Sequence, residues 1–412
     1  MSRTALRKAG HAVTMEAHVQ TVTMLLLVAA VVALLTRRLR LPYSVGLVAA
    51  GIVLAAIPAA PKVVLTKDLL FYALLPPLLF EAAFHIPWEE MRRNSSLIAV
   101  LATLGVMLSA GLTAAGMHYL VHWQWITALV FGVLIAATDP VSVIATFKEA
   151  GTRGRLRLLI ESESLLNDGT AAVAFGVVVA IASGQRFDAA QIAVRLLTTV
   201  GGGILCGGIV ATLALLLAGR TTDHLVETAM TTIAAYGSFL LAGHFGFSGV
   251  LATITAGLLI RNSRWANTIS PRGKEAILTF WEYAAFLANS FVFLLIGMHE
   301  ASQNLLAVWL PAVVAIALVT LARAAAIYPC CLLFVRSSLR VSAKHQHILF
   351  WGGLRGALAL ALALSLSADV PLYESVIGVS FAVVAFSIFV QGLTISPLLR
   401  RMGEIPGARR EK

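Results

Sequence analysis

The sequence predicts an all-α polytopic membrane protein of about thirteen transmembrane helices. They are expected to form two inverted six-helix repeats, with helices 5 and 12 discontinuous. Three observations predict this. The mean hydropathy is +0.87, with 59% hydrophobic and only 12% charged residues across 412 positions, a balance outside the range of soluble domains. Thirteen apolar windows follow one another along the chain, each close to the ~20 residues that a helix needs to cross a bilayer. The loops between those windows alternate in charge.

The windows fall at 19–36, 42–60, 67–85, 95–121, 125–147 and 157–183, and then at 189–218, 225–245, 247–260, 276–299, 305–335, 347–367 and 373–399. If the helices alternate in direction, one set of loops and tails carries 22 Lys and Arg and the other carries 6. Cytoplasmic loops concentrate basic residues, so the N-terminus is expected outside and the C-terminus in the cytoplasm. The first window ends in Thr36-Arg37-Arg38 rather than in small residues, unlike a cleavable signal peptide. The short tail, 400–412, leaves no room for a regulatory domain, and no targeting extension precedes the first window; together these favour a prokaryotic inner membrane. Trp123, Trp125 and Trp309 near window ends read as interfacial anchors.

The formal charge of +11 does not indicate nucleic acid, because the basic residues sit in short groups between apolar runs and form no stripe. Cys206, Cys330 and Cys331 lie in apolar runs with no metal-ligand spacing and read as buried free thiols. Apart from Lys67 and Arg157 at window edges, only three basic residues fall inside windows. Arg195 is close enough to a helix end to reach the surface. Arg323 and Arg355 lie deeper and need partners.

The repeats pair windows 1–6 with 8–13 around window 7. Window 7 carries Gly201, Gly202, Gly203, Gly207 and Gly208, a spacing suited to close helix packing. Corresponding windows 5 and 12 are both interrupted. Window 5 contains Thr138-Asp139-Pro140 and window 12 contains Gly352-Gly353-Leu354-Arg355-Gly356. A proline removes a backbone donor and breaks the turn before it. Broken helices at matching places in two halves point to a transporter's binding site, because their freed backbone groups line it. At ~1.5 Å per residue, Asp139 lies roughly 21 Å from one end of its helix and Asp168 roughly 16 Å from the opposite end of the next. The two carboxylates therefore meet near the middle of the membrane.

Window 6 sorts its polar residues by angle. Glu161, Ser164 and Asp168 form one stripe, and Glu163 and Asn167 form another. Ser164 and Asp168 are expected to face a wet cavity with Asp139, while Glu163 and Asn167 are expected to face Arg355. Glu161 is either a carboxylate at the cavity mouth or an ordinary interfacial one. Lys148 and Glu149 read as cytoplasmic turn residues, His85, His244 and His299 as interfacial or packing groups, and Glu282 and Asn289 as groups hydrogen-bonded within the bundle. Carboxylate, hydroxyl and carbonyl oxygens suit a hard cation such as Na+. Burial and a neighbouring carboxylate both favour protonation, so Asp168 can hold a proton or a cation, but not both.

ATDPVSVIATFKE followed by ESESLLNDGTA, with LLPPLLFEAAF upstream and GGLRGALALALAL near the end, resembles the monovalent cation:proton antiporter-1 family, the sodium/proton exchangers. The motifs span Leu74 to Leu364 in the family's order. The resemblance implies the sodium/proton antiporter fold and a homodimer. It implies a dimerisation subdomain from 19–85 and 225–299, a core ion-transport subdomain from 95–183 and 305–399, a linking helix at 189–218 and a short cytoplasmic tail at 400–412. It also implies that Asp168 is the ion- and proton-binding carboxylate, supported by Asp139, Ser164 and Thr138, with Glu81 facing the site across the subdomain boundary. Glu163 would pair with Arg355 beside Asn167, and Arg323 matches a core arginine of the family with no evident partner.

The expected function is secondary active exchange of Na+, with Li+ or K+ as alternatives, for H+ across the lipid bilayer. It is electroneutral at one to one, because Asn167 stands where electrogenic relatives place an aspartate. No cofactor and no nucleic acid is expected. A monovalent cation channel and a K+/H+ exchanger are the rival readings. An intramembrane hydrolase lacks a nucleophile and base at workable spacing.

Overall fold

Backbone polar groups have no water to bond in a bilayer, so a chain this apolar must satisfy them within helices. The computed structural model describes residues 3–405 apart from 40, 59–62, 64, 152–153, 263–268, 302–307 and 368–369, with the backbone alone at 3–18, 142 and 149. The end of the expected tail, 406–412, and the Glu149 side chain lie outside the described residues.

The chain runs through α1 (Arg3–Leu39), α2 (Tyr43–Ala55), α3 (Leu69–His85), α4 (Trp88–Arg93), α5 (Ser95–Val121), α6 (Trp125–Leu134), α7 (Val141–Glu149) and α8 (Arg155–Ala182). It continues through α9 (Ala189–Ala218), α10 (His224–His244), α11 (Gly249–Asn262), α12 (Pro271–Glu300), α13 (Trp309–Leu332), α14 (Ala343–Trp351), α15 (Ala357–Leu364) and α16 (Tyr373–Arg401). Eight of these are long and apolar enough to cross a membrane: α1 over Val19–Leu39, α5, α8, α9, α10, α12, α13 and α16. Large apolar side chains such as Leu34, Leu197, Leu205 and Leu321 stand on the outside, where a bilayer covers them.

Two interruptions position the site. The helix begun by α6 ends at Leu134 and resumes as α7 at Val141, with Pro140 as the residue that caps it. The second break separates α14 from α15 across Gly352–Gly356. Both stand where the sequence places them. Three helices, α3, α5 and α16, each include a wider π-type stretch, and the one in α16, Ser387–Gln391, supplies polar groups to the second break.

Close helix crossings use glycine. A side chain at Gly207 would collide with the Ala252 carbonyl of α11, and one at Gly297 with the Val48 carbonyl of α2. The three cysteines are buried and free. Trp125 and Trp309 are exposed at helix starts, as anchors require. Trp123 departs from that expectation: it is buried, edge-on to Phe131 at 5.5 Å. Between α5 and α6 the backbone passes through a left-handed His122, and the Trp123 N–H donates to the Met117 carbonyl at 3.3 Å.

Candidate ion-binding site

The two helix breaks cross. The Asp139 backbone N–H donates to the Leu354 carbonyl at 2.7 Å, the single isolated bridge among the described residues. The Arg355 guanidinium reaches back across the crossing and donates to the Ala136 and Ala137 carbonyls at 2.6 and 3.1 Å. Those carbonyls lie just past the end of α6 and belong to its partially negative terminus, which a cation stabilises. The Arg355 N–H donates to Ser387 Oγ at 2.8 Å, and that hydroxyl donates to Gln391 at 2.6 Å. Asp139 is held by the Val141 N–H, which donates to its Oδ1 at 2.9 Å. Gly356 packs directly on the Asp139 carboxylate, and a side chain there would occupy its place.

α8 passes alongside the first break. Asn167 is fully buried and grips Thr138 from both sides: its Oδ1 accepts from the Thr138 N–H at 3.1 Å, and its Nδ2 donates to Thr138 Oγ1 at 2.6 Å. Asn167 Nδ2 also donates to Glu163 at 3.1 Å, one turn away. Ser164 Oγ bonds Thr138 Oγ1 at 2.9 Å. An amide matches an N–H donor and a hydroxyl acceptor at once, which a carboxylate does not.

The expected pairing of Glu163 with Arg355 is corrected. Glu163 takes Arg323 of α13 in a two-pronged ion pair, Nη1 to Oε1 at 2.8 Å and Nη2 to Oε2 at 2.9 Å, with both side chains almost wholly buried. Arg323 Nη2 also donates to the Leu349 carbonyl at 3.2 Å. Arg355 satisfies carbonyls instead, and Asn167 bonds Thr138 and Glu163 rather than Arg355. Helical angle identifies the face on which Glu163 and Asn167 lie, but not which of two buried arginines another helix delivers to it.

A cavity of about 530 Å3 leads to this crossing. Its wall includes Asp168, Asp139, Thr138, Glu161, Glu81 and Lys148. Ser164 is not on the wall but behind it, bonded to Thr138. Glu161 accepts from Arg157 Nε at 2.9 Å, one turn earlier on α8. Lys148 is not a plain turn residue: its Nζ lies 3.6 Å from Glu81 Oε1. His85 and Glu282 also line the cavity, and His85 stands between carboxylates, with Nδ1 3.3 Å from Glu81 and Nε2 3.7 Å from Glu282. The four-residue step from Glu81 to His85 was a readable sign of that contact, whereas nothing near Lys148 or Glu282 in sequence reveals theirs. Chemically, the cavity ends at two carboxylates, of which Asp139 is held by a backbone donor, with both buried arginines engaged elsewhere.

Comparison with known proteins agrees with this architecture. The family profile described as "Sodium/hydrogen exchanger, transmembrane" matches residues 24–401. The Na(+)/H(+) antiporter ApNhaP of Aphanothece halophytica is 37% identical over 371 residues, covering 89% of this chain and 70% of that protein. The Na(+)/H(+) antiporter NhaH of Halobacillus aidingensis is 31% identical over 396 residues, covering 93% and 97%. A solved structure of the sodium proton antiporter MjNhaP1 from Methanocaldococcus jannaschii superposes with a TM-score of 0.74 at 20% identity, covering 94% of this chain and 99% of that one. That likeness shows the fold.

Proposed function

The chain belongs to the sodium/hydrogen exchanger family, and on that premise we propose that it exchanges Na+ for H+, one for one, through competition at Asp168. The observation that carries this reading is the charge balance around the cavity. Glu163 is matched by Arg323, Glu81 faces Lys148, and Glu161 faces Arg157. Arg355 is the only further buried cation among the described residues; bonded to the Ala136 and Ala137 carbonyls, it brings one positive charge to the crossing where Asp139 and Asp168 meet. Those two carboxylates are left with one uncompensated negative charge between them, which we assign to Asp168 on the cavity wall.

One proton or one Na+ neutralises that charge, and either loaded form then moves without a net buried charge. The empty, ionised form would carry a bare carboxylate through a low-dielectric barrier at a cost of several kcal/mol. That penalty suppresses movement of the empty carrier and so couples the two ions. Asp139 and Thr138, on the same wall, are proposed to supply further oxygen ligands to the cation, with Ser164 and Asn167 fixing Thr138. Glu81 is proposed as the carboxylate that meets ions before they reach Asp168.

Eight long spans, the shorter α2, α3 and α11, and the two broken pairs α6–α7 and α14–α15 together supply thirteen passes in the proposed topology. The C-terminus and the basic loops then lie in the cytoplasm of a prokaryotic inner membrane, and the cavity, with Arg37, Lys148 and Arg157 around it, opens to that side. The proposed protomer divides into a core containing α5–α8 and α13–α16 and a scaffold containing α1–α3 and α10–α12, joined by α9 and paired as a homodimer.

In everted vesicles, Na+ should dissipate a respiration-generated pH gradient reported by a dye, and Asp168→Asn should abolish the response while the protein remains folded and membrane-inserted. Retained exchange in that variant would refute the site.

A further inference from the structure

We infer that Lys148 is a tethered cation that competes with incoming Na+ for Glu81, and so sets the apparent Na+ affinity of the face on which the cavity opens. The inference rests on the exchange reading above and gives Lys148 a part in ion entry that this reading does not assign.

Lys148 lies in the last turn of α7, the arm that begins at the first helix break, while Glu81 lies on α3. Their charged atoms are 3.6 Å apart, which is electrostatic contact without hydrogen-bond geometry. Glu81 is held in the wall, with 18% of its side chain exposed, whereas Lys148 is 44% exposed. The ammonium therefore has an alternative home in water that the carboxylate lacks. A flexible four-carbon stem carrying a compact charge suits such an exchange.

The other groups facing Glu81 do not replace Lys148. His85 Nδ1 lies 3.0 Å from the Glu81 carbonyl as well as 3.3 Å from its carboxylate, and the far side of that ring faces Glu282. Arg157 is occupied by Glu161. A cation entering the cavity thus meets Glu81 already matched by a side chain of the same sign, and must displace it. In the proposed mechanism α7 moves with the core and α3 stays with the scaffold, so the competition exists only while this cavity is open.

Part-exposed ion pairs contribute ~0.2–1 kcal/mol, so removing the competitor should tighten apparent Na+ affinity by about 1.4- to five-fold. The test is the Na+ KM of Lys148→Met and Lys148→Arg, measured separately in everted and right-side-out vesicles. Lys148→Met should lower KM at the cavity face with little change in turnover and no change at the other face. Lys148→Arg should raise it, because a guanidinium grips a carboxylate with two donors. In a Glu81→Gln background the Lys148→Met effect should vanish; if that background transports too slowly to read, the Na+ dependence of thermal stabilisation of the purified protein gives the same comparison. An unchanged KM in Lys148→Met, or an equal change at both faces, would overturn the inference. Wild-type vesicles silent to Na+ would instead strike the exchange reading, and the stabilisation assay would still decide the competition.

Discussion

The Glu163–Arg323 pair gives the sharpest test of how the core is held. Two charge-assisted bonds at 2.8 and 2.9 Å join side chains that are 1% and 6% exposed. Unit charges ~4 Å apart attract by about 4 kcal/mol at an effective dielectric constant of ~20. Neutralising one partner leaves the other buried and unmatched, which costs about 3–5 kcal/mol. Glu163→Gln and Arg323→Gln should each lower the melting temperature of the detergent-purified protein markedly. The double variant should recover part of the loss, with a coupling of about 0.5–3 kcal/mol, the range for contacting groups. The comparison cycle is Glu163→Gln with Arg355→Gln. Arg355 is bonded to the Ala136 and Ala137 carbonyls, so its loss should add nearly independently. Additive Glu163 and Arg323 effects alongside strong Glu163–Arg355 coupling would refute the assignment.

Other predictions probe different contacts. Gly356→Ala places a methyl group where the Asp139 carboxylate sits; it should cost about 1–3 kcal/mol of stability and most of the Na+-driven proton movement, which dye dequenching in vesicles would read. Glu300, at the end of α12, is 7% exposed, and both its carboxylate oxygens are buried without a hydrogen-bond partner among the described residues. Glu300→Leu should therefore raise the melting temperature, by about 1–3 kcal/mol of relieved desolvation, and a lower melting temperature would count against that account. Exchange should move no net charge, so proteoliposomes given a Na+ gradient under voltage clamp should show proton flux without current. A steady current that follows the Na+ gradient would overturn the one-to-one ratio.

Much of this arrangement is written in the sequence because it depends on composition and on short-range geometry. Hydropathy marks the long helices, since each must match the thickness of a bilayer. Pro140 and the glycines at 352, 353 and 356 mark both breaks, since a proline removes a backbone donor and clustered glycines free the chain to leave the helix. Helical angle separates Asp168 from Glu163 and Asn167 on α8; in the structure Asp168 lines the cavity, whereas Glu163 and Asn167 are buried against protein.

What the sequence leaves open is which distant groups meet. Arg323 and Arg355 are equally plausible partners for Glu163 by type and depth, and only the packing of α13 against α8 brings the first within 2.8 Å and turns the second toward the α6 carbonyls. Ser164 shares a helical face with Asp168, yet the bond to Thr138 keeps it off the cavity wall. Lys148 looks like any residue at a helix end until α3 places Glu81 beside it. Sequence spacing determines faces and breaks because those follow from one helix's own geometry, whereas ion pairing between helices depends on offsets of a few ångströms that only tertiary packing decides.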